Sequence, residues 1–133
     1  MATLVQRATL ALLLTVAFAD GDLDDEEFKI LSRRIPDHPL FEDLSEDQVR
    51  KTNLSIIEEI NRSSLADVLM RYAREIPPSI SLQVFKLVLD IMYADGRVDD
   101  NEAAAVLMLK QSLGISSDEF KEAVDRAKRR AEY

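Results

Sequence analysis

The sequence predicts an all-α fold, a single domain of about seven helices. Apolar residues recur at three- and four-residue spacings along most of the chain, and no stretch alternates as a half-buried strand would. Only three glycines and four prolines occur in 133 residues, and together with cap signals they cut the chain into helix-length segments. Capping boxes stand at two of those cuts, Ser45 with Gln48 and Ser116 with Glu119. A chain of 15.1 kDa buries a genuine core without dividing into two, so residues 1–133 are read as one domain.

Each element follows from local signals. The first helix is expected over residues 2–19; it is apolar around most of its circumference and should sit centrally. A second runs over residues 24–34. The stretch IPDHPLFEDL is read as a loop, because Pro36 and Pro39 bias their predecessors away from helix. A third helix opens at Ser45, with Leu44 and Val49 as its hydrophobic staple, and ends near Arg62. The segment SSLADVLMRYAREI gives a fourth, capped by Ser63 or Ser64 and stopped at Pro77. The fifth, over residues 79–94, is a second central helix. A sixth covers residues 99–114 and closes on Gly114 as a left-handed cap. The seventh opens after Ser116, stapled by Ile115 and Phe120.

Composition excludes several function classes. The formal charge of -8 repels nucleic acid and anionic lipid unless basic residues cluster. The only such cluster, residues 128–130 (KRR), suits a helix C-terminus. No cysteine is present, which removes disulfides, thiolate catalysis and Cys-based zinc sites and suits the cytoplasm. The one histidine, His38, cannot supply the paired ligands of most His-carboxylate metal sites. The first twenty residues imitate a secretory signal, but the run aligns with the internal segment SLQVFKLVLDIMYAD and is read as a core helix. Its uncharged part, residues 8–19, is shorter than the roughly 20 residues a spanning helix needs, so no membrane insertion is expected. Met92, Tyr93 and Met108 are read as core, and YAREIPPS as an ordinary turn.

One internal repeat stands out. FADGDLDDEEF, from Phe18, returns as YADGRVDDNEA, from Tyr93. Asp20 aligns with Asp95, Gly21 with Gly96, Leu23 with Val98, Asp24 with Asp99 and Glu27 with Glu102, and the preceding helices align Leu12 with Leu87 and Leu14 with Leu89. Much of this is explained by a tight helix-helix corner: glycine for positive φ, Asp24 and Asp99 as N-caps, Glu27 and Glu102 at the third helical position, and Leu23 stapled onto Phe28. Asp20 and Asp95 are not, because they follow a helix C-terminus, where the macrodipole disfavours negative charge by about 0.3 to 1 kcal/mol. Carboxylates about 4 Å apart repel by roughly 4 kcal/mol at an effective dielectric of 20. A converging cluster of them therefore needs a cation, protons or solvent. The spacing matches the second half of an EF-hand loop, but Val16 and Phe18, like Ile91 and Tyr93, stand where the first ligands should be. Two half-loops, one from each copy, could instead share ions.

The doubled pattern ADG-x-apolar-D-x-x-E after an apolar helix, followed by LGISSDEF, resembles the TerB-like family of tellurite-resistance proteins and related helical domains. The likeness spans nearly the whole chain and is strongest over residues 82–120. It implies two pseudo-two-fold related helix-corner-helix units and an acidic divalent-metal site. The ligands so implied are Asp20, Asp24, Glu27, Asp95, Asp99 and Glu102. Asp22 is weaker, because its counterpart is Arg97, and Asn101 in place of a second Glu26 makes the second corner less acidic. Oxygen-only donors favour calcium, with magnesium or manganese as alternatives. The resemblance further implies a role in tellurite resistance or stress response, through protein partners that include membrane-associated ones.

Three functions compete. The leading expectation is a non-catalytic, metal-binding helical module that presents a surface to protein partners. The alternative is a metal-independent adaptor or co-chaperone-like interaction domain whose acidic corners are caps and nothing more. An enzyme ranks third, as a di-metal hydrolase or a carboxylate-bridged di-iron oxidase: the oxidase needs Glu-x-x-His pairs, a Ser-His-Asp site would have to recruit Pro-flanked His38, and no glycine-rich phosphate loop exists.

Overall fold

A computed structural model describes residues 3–19, 39–93 and 100–131. Among these are six α-helices and no strand: α1 (Leu4–Ala17), α2 (Glu46–Arg62), α3 (Leu65–Ala73), α4 (Ser81–Tyr93), α5 (Asp100–Leu113) and α6 (Ser117–Ala131). Short 3-10 turns at Pro39–Phe41 and Pro78–Ile80 precede α2 and α4. The chain is all-α. The helix expected over residues 24–34 lies outside the described residues.

The core is built around α1, which packs against α2, α3, α4 and α5. It can do so because Leu10, Leu12, Leu13 and Leu14 are all fully buried and no side of the helix from Ala8 to Val16 is left for solvent. Its two buried threonines are satisfied within the helix: Thr9 donates its hydroxyl to the Val5 carbonyl and Thr15 to that of Leu12. The run that imitates a secretory signal is thus the central helix of the fold. Its start is tighter than expected, at Leu4, because Thr3 and Gln6 form a reciprocal capping box. That T-x-x-Q spacing is a local signal that the sequence itself carries.

Gln6 does more than cap. Its amide nitrogen donates to the Leu40 carbonyl at 3.0 Å and to Asp43 Oδ1 at 2.8 Å, pinning the turn before α2 to the start of α1. Here the structure corrects the reading of IPDHPLFEDL as plain loop: Phe41 is fully buried and is among the largest core side chains. A 3-10 turn tethered at its backbone is what allows a connecting segment to deliver an aromatic ring to the core.

The outer helices are amphipathic. On α2 the inward stripe is Val49, Asn53, Ile56 and half-buried Ile60, and the expected Ser45–Gln48 capping box is present. Ser63 donates its hydroxyl to the Glu59 carbonyl and ends α2, whereas Ser64 caps α3. The helix α3, expected as the fourth, stops at Ala73, short of the expected reach to Ile76. The Glu75 and Ile76 amides bond back to the Tyr72 and Ala73 carbonyls, a tightening that fits the conformational restriction before Pro77. Close apposition of α6 to α4 rests on Ala123 and Ala127, both buried, with Phe85 and Phe120 rings 6.0 Å apart between the two helices. Gly114 takes φ +71 as the left-handed cap of α5, and the Ser116–Glu119 box opens α6.

Leu12, Leu14, Leu87 and Leu89, the aligned leucines of the repeat, are all buried, and α1 and α4 touch. Both apolar halves of the repeat are therefore core. The corners that would relate the two units, residues 20–38 and 94–99, lie outside the described residues. Met92 is buried and Tyr93 half-buried as expected, but Met108 is not core: it is 39% exposed on the outer side of α5. In a helix this apolar, composition does not reveal which side faces inward. No helix among the described residues is long and apolar enough to cross a membrane.

Candidate metal centre

Of the six ligands expected from the sequence, Glu102 is described. It is half-buried at the third position of α5, the place assigned to it by the N-cap reading of Asp99. Asp20, Asp24, Glu27, Asp95 and Asp99 lie outside the described residues, as do Asp22, Arg97 and His38. Glycines 21 and 96 and the Leu23–Phe28 staple do so too. Asn101, which replaces a second glutamate in the later copy, is exposed on α5. Among the described residues no group of three or more His, Cys, Asp or Glu side chains is placed to hold a metal ion.

What is described is the pair of helix ends that lead into the corners. At the end of α1, the Phe18 amide bonds to the Leu14 carbonyl and the Ala19 amide to that of Val16. Asp20 follows two residues after the cap. A helix C-terminus carries an effective negative charge of about half an electron, ordinarily offset by a cation in the last turn. Three other helices follow that rule, with Arg62 on α2, Arg71 on α3 and Lys110 on α5. Neither α1 nor α4 has any basic residue in its last turn. The two helices that run into the acidic corners are thus the two, among the five described last turns, that carry no basic residue there. Both are followed by aspartate.

Sequence reading missed a second polar cluster, which joins α1, α2 and α3. Arg7 donates to Glu59 Oε2 at 2.9 Å, to the Ser55 hydroxyl at 3.0 Å and, through Nε, to the Tyr72 hydroxyl at 3.0 Å. Tyr72 in turn donates to Glu59 Oε2 at 2.6 Å, and Arg71 reaches Glu59 Oε1 at 3.4 Å while lying over the Tyr72 ring. Burial favours a neutral Glu59, but the hydrogen bonds from Tyr72 and Arg7 outweigh it and hold the carboxyl below its ordinary range. Burial and the Glu59 contact push the Tyr72 hydroxyl up. Burial pulls Arg7 down, yet its bonds to Tyr72 and Glu59 win and its affinity for the proton rises. All three groups are moved away from neutrality, the opposite of what proton transfer at neutral pH requires. The cluster is a clamp between helices. No local signal announces it, because residues 7, 59 and 72 meet only when three helices pack.

Compared with protein-family models, residues 6–125 match the model described as Tellurite resistance protein TerB. The matched span starts within α1, ends within α6 and contains both copies of the acidic corner. Comparisons with curated proteins and with solved structures gave no match.

Proposed function

The chain belongs to the TerB family of tellurite-resistance proteins, and from that premise we propose that it is a non-catalytic module that binds divalent metal at its duplicated corner. Asp20, Asp24, Glu27, Asp95, Asp99 and Glu102 would hold the ion. The observation that carries this reading is that α1 and α4, alone among the five helices whose last turn is fully described, lack a basic residue there and run into aspartates. A divalent cation at the corners would neutralise clustered carboxylates and two helix dipoles together. The donor set is all oxygen, which fits calcium first and magnesium or manganese next.

The bound ion supplies charge neutralisation and cross-linking. The protein's own contribution is a rigid apolar platform, α1 packed on α4 and α5, from which both corners spring. Ion occupancy would set the stability of that platform and so of the surface it offers to protein partners, in a tellurite-resistance or stress-response role within the cytoplasm.

Thermal melts of chelator-treated protein with calcium, magnesium or manganese test this. An ion at about 100 times its dissociation constant should add roughly 2.7 kcal/mol, a shift of several degrees in a domain of this size, and the shift should vanish in Asp20→Asn and Asp95→Asn. No shift with any of the three ions would sink the proposal.

One observation favours a metal-independent adaptor instead. Glu102 occupies the third helical position, where Glu119 of α6 makes an ordinary capping box with Ser116. On that reading Asp20→Asn leaves stability unchanged or slightly raised, because a dipole conflict is removed. A loss of several degrees in that variant would exclude it.

A further inference from the structure

The two ends of the fold are held together by different means. Polar contacts tie α1, α2 and α3, through the Gln6 tether and the Arg7, Glu59 and Tyr72 cluster. Among the described residues, no hydrogen bond or ion pair joins an α6 side chain to another helix. That helix packs chiefly on α4, and the residues it buries are the small Ala123 and Ala127. Half-buried Phe120 and Val124 complete the contact, with Phe120 beside Phe85 of α4 and below Lys110 of α5. The charge of Lys86 on α4 acts on Glu119 more weakly than that residue's own cap bond with Ser116. Two alanines remove little apolar surface from water, so the seat of α6 contributes far less than a core helix such as α4, which buries Val84, Phe85, Val88 and Leu89.

Within itself α6 is well provided. Ser116 and Glu119 cap its start, Asp118 and Glu119 stand in its first turn, and Lys128 and Arg129 lie near its end, all favourable to the helix dipole. Glu122 with Arg126, and Asp125 with Arg129, are spaced four apart in the stabilising order. These effects are local, so they persist when the helix leaves its seat. The link from α5, residues 114–116, turns at Gly114, whose φ of +71 is set where an added Cβ would meet nothing within 4 Å. Ile115, the staple residue of α6, is buried with it and lies on the moving side of that glycine.

We infer that α6 is a strap: it lifts from α4 as a unit about residues 114–116, in an opening far smaller than global unfolding, and uncovers the apolar flank of α4 that includes Phe85. The chain then has a closed state, in which α4 is covered, and an open one in which that flank meets water. The strap is independent of the metal reading, because neither its hinge nor its seat contains a residue of the acidic corners.

The chain has no cysteine, so a single introduced cysteine reports the exposure of one position. In the full chain, Ala123→Cys and Ala127→Cys lie under the strap, and Ala11→Cys, at a fully buried position of α1, reports global unfolding; each variant is checked for folding by circular dichroism. Labelling by a thiol reagent under native conditions should be at least about 100-fold faster at 123 and 127 than at 11, and less dependent on urea, because the opening exposes less surface. The two α6 positions should label at similar rates, as a unit motion requires. Adding Tyr72→Phe, which weakens the clamp of the other three helices, should quicken labelling at 11 about tenfold and leave 123 and 127 unchanged. Amide exchange of the unsubstituted chain, read by NMR, should show α6 less protected than α1 and α4. Equal rates and urea slopes at all three positions, or equal quickening of all three by Tyr72→Phe, overturn the inference, since α6 then leaves only when the whole chain unfolds. Fast labelling at 127 without fast labelling at 123 also overturns it, as fraying of a helix end. Amides of α6 as protected as those of α1 do the same.

Discussion

Tyr72 on α3 donates its hydroxyl to Glu59 on α2 at 2.6 Å, and the same carboxylate oxygen receives Arg7 from α1 at 2.9 Å. One oxygen therefore ties three helices together. Tyr72→Phe is expected to cost about 1.5 kcal/mol in urea unfolding, the low end for a hydrogen bond to a charged group, because Arg7 and Glu59 keep 29% and 25% of their side-chain surface in water.

The pH dependence of that clamp has a definite sign. Glu59 is held below its ordinary range in the folded protein, so its contribution is complete above the unfolded value, about 4.3, and is lost as pH falls through the lower folded value. The stability gap between the wild type and Glu59→Gln should therefore be full at pH 7 and shrink at acid pH below that value. A gap that widened on acidification would contradict the assignment. Tyr72 is shifted upward, so its contribution is complete below about pH 10 and is lost as pH rises through its folded value.

Gln6→Glu is nearly isosteric and reverses two interactions. The Gln6 amide nitrogen that donates to the Leu40 carbonyl at 3.0 Å and to Asp43 at 2.8 Å becomes a carboxylate oxygen facing a carbonyl and a carboxylate. A loss of about 2 kcal/mol is expected at neutral pH, partly recovered when the new carboxyl is protonated. Urea melts at pH 7 and pH 4 would show it.

Phe41→Ala should cost about 3 to 5 kcal/mol, as for a fully buried aromatic in any core. A loss under about 1 kcal/mol would show that the 3-10 turn is an ordinary surface connection.

Gly114→Ala isolates backbone strain, since a Cβ there meets nothing within 4 Å. Only the positive φ of 71 opposes it, so a cost of about 1 kcal/mol is expected in thermal or urea unfolding, with Gly114→Asn milder.

The elements that were legible in the sequence are those decided within one or two turns of chain. The Ser45–Gln48 and Ser116–Glu119 boxes and the Gly114 cap are all present, because a cap is made by residues three or four apart. The Thr3–Gln6 box was equally legible and went unread. The doubled acidic corner was legible as a pattern, and the family match over residues 6–125 bears out the resemblance it carried. Glu102 also stands at the third helical position, as its spacing required.

Tertiary structure alone decided the rest. Met108 and Leu109 are neighbours of nearly equal hydrophobicity, yet Leu109 is fully buried and Met108 is exposed; the direction from which α1, α3 and α4 approach α5 settles which is which. Phe41 lies in a proline-marked connection, and its place in the core depends on long-range contacts such as the Gln6 tether to Leu40 and Asp43. Arg7, Glu59 and Tyr72 each look like ordinary helix residues until three helices meet. Local periodicity and capping determined that this chain is helical and where its helices begin. Which faces turn inward, and which polar groups meet, depend on contacts between residues distant in sequence, and these exist only once the helices have packed.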